Sequence, residues 1–241
     1  MFCIRFSLSL QQVSLETFYT MVREIHSSAQ LMEYIQQIGF LPLLYSGIAG
    51  FSAEEVVDDD CRYVVFPDGG WDWPLWKWKG PIVTDGNCAY GKFFDKKAGF
   101  ISLEWWPDFY NYRRSQNPKP QEGSIEEAIL LTLQEGGSMI TRELRAACGF
   151  TGTKMRSRFD AYITRLQMGC YIVTEDFVYP RDRHNNEYGW GWSLLTTPEQ
   201  LFGRDACVTP RSPEESYKRL IAHFKTILPQ ATEAQIKRMV K

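Results

Sequence analysis

The chain reads as an α+β fold in three parts: an aromatic-rich β/α N-terminal part, a helix-turn-helix followed by a hairpin, and a C-terminal helical hairpin. Three observations carry that reading. Tryptophans crowd a stretch that alternates apolar and polar residues, at Trp71, Trp73, Trp76, Trp78, Trp105 and Trp106. A helical period replaces this alternation after "SQNPKPQEG", residues 115–123, which holds two prolines and no apolar residue. Two capping boxes then open the last apolar stripes of the chain.

Residues 1–27 carry little fold information and read as a leader, with Met21 or Met32 as possible later starts. "SAQLMEYIQQIGFLPLL" places Leu31, Met32, Tyr34, Ile35 and Ile38 on a short helix that Gly39 and Pro42 end. Ser52 and Glu55 form a capping-box pattern ahead of the acidic run Asp58–Asp60. Three adjacent aspartates without spaced oxygen ligands read as a solvated loop rather than a cation site.

"CRYVVF" reads as a strand and "PDGG" as a turn. "WDWPLWKWKGPIV" also reads as a strand, with Trp76 and Trp78 on one face and Lys77 and Lys79 on the other. "NCAYGKFF", "DKKAG" and "FISLEWW" make a hairpin, and "PDFYNYRR" closes this aromatic region at 28–114. Clustered rings at this density either form a small β core or offer stacking faces for unpaired bases. Lys92, Glu104, Trp105, Asp108 and Arg113 lie among the rings, where buried partners or a pocket are required, with Glu104 and Arg113 as a candidate pair.

Past the linker, Ser124 and Glu127 open a helix with Ile125, Ala128, Ile129 and Leu133 on one stripe, broken by "EGGS". A short helix follows from about Thr141 to Cys148. "TGT" then turns into "KMRSRFDAYITRLQMG", which carries Met155, Phe159, Tyr162, Ile163 and Leu166 on its apolar face. Lys154, Arg158, Ala161 and Arg165 run along one flank, and Arg156 sits on the other near Asp160 and Gln167. Gly169 is the expected stop. The remainder reads as two strands around a polar tip with Arg181, Arg183 and His184. Helix, short helix, turn, basic helix and hairpin in that order make a winged helix-turn-helix over 124–197, with basic residues on both elements that meet nucleic acid in such folds.

Ser212 with Glu215, and Thr232 with Gln235, cap two last helices in 198–241, the first with Tyr217, Leu220, Ile221, Phe224 and Leu228 on one face.

Composition narrows the function classes. The 27 basic and 29 acidic residues exclude a globally basic nucleic-acid binder, so any such role rests on local patches. Cys3, Cys61, Cys88, Cys148, Cys170 and Cys207 are scattered without a C-x-x-C, and the histidines sit at no ligand spacing from them. The reading is a cytoplasmic protein without a metal centre, a cofactor or a membrane span. Walker, G-x-S-x-G and H-E-x-x-H patterns are absent, and no nucleophile–base pair follows from spacing.

The runs "WKGP", "GKFFDKKAGF" and "WWPDFYNYRR", together with residues 124–197 and "YIQQIGFLPLL", make the chain resemble the AlkZ-like family. These are winged-helix DNA glycosylases that excise alkylated bases and unhook interstrand crosslinks, and smaller AlkZ-related proteins share the same runs. The family's Q-x-Q or Q-x-D catalytic tripeptide follows a glycine-ended helix, and here the matching residues are Pro42, Leu43 and Leu44. The resemblance therefore implies a DNA-binding scaffold and no catalytic residue. Three functions follow: a DNA-binding repair-associated protein, a glycosylase-type enzyme using Glu104 or Asp108, and a protein-interaction module.

Overall fold

The computed structural model describes residues 25–152 and 155–241. The expected leader lies outside the described residues as far as position 24, but its end is structural. Ile25 is buried and bridges Val57, and Ser27 caps the first helix by accepting from the Gln30 amide. That helix, α1 (Ser28–Ile38), buries Leu31, Ile35 and Ile38. Gly39 ends it at φ 81°, and a Cβ there would also run into the Trp105 ring. β1 (Phe40–Pro42) and the one-turn α2 (Ala53–Val56) follow.

The tryptophan run departs from expectation. "CRYVVF" yields only β2 (Val64–Val65), paired with the equally short β3 (Trp71–Asp72). The rest of the expected strand is a helix, α3 (Pro74–Thr84). Proline in the first turn needs no amide partner, and Leu75, Lys79, Ile82 and Val83 supply a buried face at helical spacing. The period-two tryptophans are incidental to that face, for Trp76 and Trp78 are only half-buried. Lys79, expected with Lys77 on the strand face opposite the tryptophans, is 1% exposed.

β4 (Cys88–Phe94) and β5 (Lys97–Ser102) form the expected hairpin. Asp95 and Lys96 turn it with φ of 49° and 67°, the left-handed pair that a two-residue turn between twisted strands requires. β1 adds on the other side of β5, giving the order β1-β5-β4. α4 (Trp106–Gln116) follows and takes Ser115 and Gln116 from the expected linker.

α5 (Ile125–Gly136) is capped by Ser124, while the Glu127 carboxylate takes the Gly123 amide at 2.6 Å instead of completing a box on Ser124. It buries Ile129, Leu130 and Leu133 and leaves Ala128, expected in the stripe, exposed. β6 (Met139–Ile140), too short to leave a period, precedes α6 (Thr141–Ala147) and α7 (Arg156–Met168). β7 (Val173–Val178) and β8 (Trp192–Thr196) complete an antiparallel sheet in the order β6-β8-β7. Gly169 is not the left-handed residue behind α7, since its φ is −83° and that of Cys170 is 59°. Its lack of a side chain serves close approach, because a Cβ would lie 3.0 Å from the Tyr171 ring and 3.2 Å from Asn117.

α8 (Pro198–Leu201) leads to α9 (Pro213–Ile227) and α10 (Glu233–Val240), both opened by the expected boxes. One core joins α1, the β1-β5-β4 sheet, α4, α9 and α10, and a second joins α5, α6, α7 and Leu195 of β8. The fold is thus a mixture of helix and antiparallel sheet, as an α+β pattern requires. Among the described residues no helix is long and apolar enough to cross a membrane.

Candidate nucleic-acid interface

α7 buries Phe159, Ile163, Leu166 and Gln167 and exposes Arg156, Arg158, Ala161 and Arg165. Lys154 lies outside the described residues. Arg156 and Arg158 occupy the first turn, which holds no acidic residue and no side-chain cap. Neither arginine has an ion-pair or hydrogen-bond partner among the described residues. Arg165 differs: its guanidinium holds the Glu126 carboxylate of α5 at 2.5 and 3.1 Å and lies 4.6 Å over the Tyr162 ring. On the opposite flank, Lys92 of β4 donates from its amide to Gln167 Oε1 and from Nζ to Thr164 Oγ1 at 3.1 Å. Lys92 therefore clips α7 to the first sheet.

The tip of the β7–β8 hairpin is less cationic than its arginines imply. Arg181 is paired with Glu187 at 2.9 Å and donates to Asn185 Oδ1. The Asp182 carboxylate accepts from the amides of His184 and Asn186, and those bonds, with Asn186 foremost, hold its pKa below the usual carboxylate value. Arg183 donates from Nε to His184 Nε2 at 3.0 Å and carries no ion pair among the described residues.

Beside this tip lies a feature that the strand reading concealed. A cleft of about 660 Å³ separates α3 from the hairpin, with Trp71, Trp73, Trp76, Tyr179, Tyr188 and Trp190 on its walls. Lys79 lies beneath it. Its ammonium donates to Trp76 O and Tyr179 Oη and sits 4.0 Å over the rings of both Trp76 and Phe177. Among the described residues no carboxylate neutralises it, and burial pulls its pKa down to about 7. Reading Pro74 as a helix start would have placed Lys79 on the apolar face with Leu75 and Ile82.

A family model described as AlkZ related matches residues 25–241. The chain belongs to the AlkZ-related family. No curated protein and no solved structure matches it. Membership relates the protein to DNA repair at the level of the family.

In this AlkZ-related protein the remaining expected site residues are not gathered into one pocket. Asp108 is 2% exposed and saturated by Arg211 at 3.2 Å, by Arg219 and by Ser216 Oγ at 2.8 Å, which fastens α4 to α9. Arg219 also covers the Trp105 ring at 3.7 Å, and His223 stacks against that ring at 3.8 Å. Trp105 is thus core rather than a pocket wall. Glu104 is exposed and reaches Arg219 at 3.8 Å, not Arg113.

Arg113 is 1% exposed and donates to the carbonyls of Phe93, Met168 and Met239 at 2.6, 3.2 and 3.3 Å. Two of these carbonyls close α7 and α10, whose C-terminal ends carry partial negative charge, so the cation is matched by backbone dipoles. Burial lowers its pKa to about 10, which leaves it charged at neutral pH. Pro42 and Leu43 are buried at the end of β1, and Leu44 emerges at the surface.

Proposed function

We propose that this AlkZ-related protein binds DNA through a winged helix spanning 124–197, with its C-terminal helical hairpin packed on the N-terminal core, and serves repair without glycosylase chemistry of the family type. The single observation that carries this reading is the pair Arg156 and Arg158 in the first turn of α7. A helix N-terminus favours anions, and cations there cost about 0.3–1 kcal/mol. Two arginines without a partner among the described residues thus oppose the helix's own stability at that end, and a phosphate would satisfy them. The β6-β8-β7 order and the position of α7 after a short helix support the same reading, since recognition helices read DNA from their N-terminal residues.

The non-catalytic part rests on side chains. Pro42, Leu43 and Leu44 offer no group to orient or deprotonate water, a role worth 10²–10⁴-fold in typical enzymes. Asp108 is engaged by two arginines and a serine, and Glu104 is not among the residues lining the aromatic cleft.

The test is anisotropy with a labelled duplex across a salt titration. The reading predicts affinity falling with a log–log slope of about −0.9 for each phosphate contacted. Affinity independent of salt, or no binding at all, would favour the protein-interaction module. Single-turnover incubation with a 7-methylguanine duplex should release no base above the spontaneous rate. Excision that is lost in Glu104→Gln or Asp108→Asn would establish the enzyme instead.

A further inference from the structure

We infer that the cleft between α3 and the β7–β8 hairpin is a stacking site for an unpaired nucleobase. The inference rests on the DNA-binding reading above and gives it a preferred DNA structure. Trp71 and Trp190 are each 51% exposed, Tyr63 50% and Tyr188 57%, a concentration of wet aromatic surface that packing does not require.

The rings are ordered. Tyr63, Trp71 and Trp190 form a near-parallel column, with centroids 5.6 and 5.4 Å apart and interplanar angles of 26° and 25°. Trp73 and Trp76 stack on each other at 5.0 Å and meet Trp190 edge-on at 84° each. The corner so formed presents one face to stack on and a second to bound a flat ligand's edge. Its backbone is held, because the Trp76 indole donates to Trp190 O at 3.2 Å. A volume of about 660 Å³ lies within the range of small-ligand sites. Trp73, on the cleft wall, keeps its indole N–H buried without a hydrogen-bond partner among the described residues.

Charge and continuity favour a base on a nucleic-acid strand over another flat ligand. The wall that holds Tyr188 and Trp190 is the hairpin that carries Arg183 at its tip, and Lys77, 68% exposed but ion-paired with Asp72 at 2.5 Å, lies on the α3 side. A strand can therefore lay its phosphates on the cationic tip of the hairpin and its base on the rings, the combination used by single-strand binders. Asp176 and Glu187 line the cleft as well, so phosphates themselves are disfavoured inside it.

The experiment compares a fully paired duplex, the same duplex with one bulged adenine, and the single strand, all by anisotropy with the full chain. Wild-type protein should favour the unpaired forms by roughly 5- to 150-fold, the effect of stacking one base on an aromatic ring. Trp71→Ala with Trp190→Ala should erase that preference while keeping paired-duplex affinity and the near-ultraviolet signature of the core. Trp190→Phe, which keeps a ring, should restore most of it. Equal affinity for paired and bulged DNA, or a preference that survives removal of both rings, overturns the inference and leaves the duplex-binding reading standing. Failure to bind any of the three overturns both. Should the double variant unfold, Trp71→Ala alone replaces it, since Trp71 contributes only to a two-residue strand.

Discussion

Trp106 and Trp71 come from the same tryptophan-dense run, yet the fold uses them in opposite ways. Trp106 is fully buried and packs on Phe93, Tyr110 and Phe202, whereas Trp71 leaves half its surface in water between Tyr63 and Trp190. The difference lies in what the backbone offers. Trp106 opens a helix that packs against the first sheet and α9, while Trp71 stands on a two-residue strand whose one partner is equally short. The arginines repeat the contrast. Arg113 is spent on three carbonyls inside the molecule, and Arg156 and Arg158 face solvent without partners among the described residues. Ring count and charge count therefore say how much binding chemistry a chain holds, and the packing context decides which residues are free to do it.

The contrast breaks first on stability. Trp106→Ala should cost about 3–5 kcal/mol, like other large truncations in a packed core. Chemical denaturation measures it, and a drop below about 1 kcal/mol would remove Trp106 from the core. Asp108→Asn should cost about 1.5–3 kcal/mol, because charge-assisted bonds to Ser216 and two arginines weaken together. If stability is unchanged while DNA affinity falls, Asp108 belongs to an interface and not to the α4–α9 seam.

Lys79 sharpens the comparison through pH. Its pKa is lowered to about 7 in the folded protein, against about 10.4 in the unfolded chain. The unfolded state thus binds the extra proton between those values, and folding stability gains about 1.4 kcal/mol per pH unit from this group as pH rises through the window. Below pH 7 the penalty of the buried ammonium is fully present. The gap between Lys79→Met and wild type should therefore shrink steadily from pH 7 to 10 in urea titrations. A gap that does not change with pH would mean that the cation pays no burial cost in its aromatic cage. The smallest stability effect belongs to Trp71→Ala, at most about 0.5 kcal/mol as for other exposed substitutions.

Much of this architecture was legible in the chain. Ser212 with Glu215 and Thr232 with Gln235 located α9 and α10, because caps are local chemistry. The apolar stripe of α7 survived in Phe159, Ile163 and Leu166, while Met155 and Tyr162 are only partly buried and Gln167 joins the buried face. α3 was missed because alternating tryptophans imitate a strand when the buried face, Leu75, Lys79, Ile82 and Val83, includes a lysine that no hydrophobic pattern counts. The expected pocket around Asp108 failed for another reason. Its partners Arg211 and Arg219 lie 103 and 111 positions away, so only tertiary structure could show the carboxylate already engaged. The ion pair of Arg165 was hidden in the same way, since Glu126 reaches it from another helix.

The central claim, that the free arginines at the start of α7 contact DNA phosphates, is tested most directly by the salt dependence of Arg156→Gln with Arg158→Gln. These substitutions keep length and polarity, remove two charges and touch no ion pair, so the melting temperature should hold. The slope of log affinity against log salt should fall in magnitude by about two relative to wild type, one for each phosphate that the variant no longer neutralises. An unchanged slope in a fully folded double variant would contradict the account.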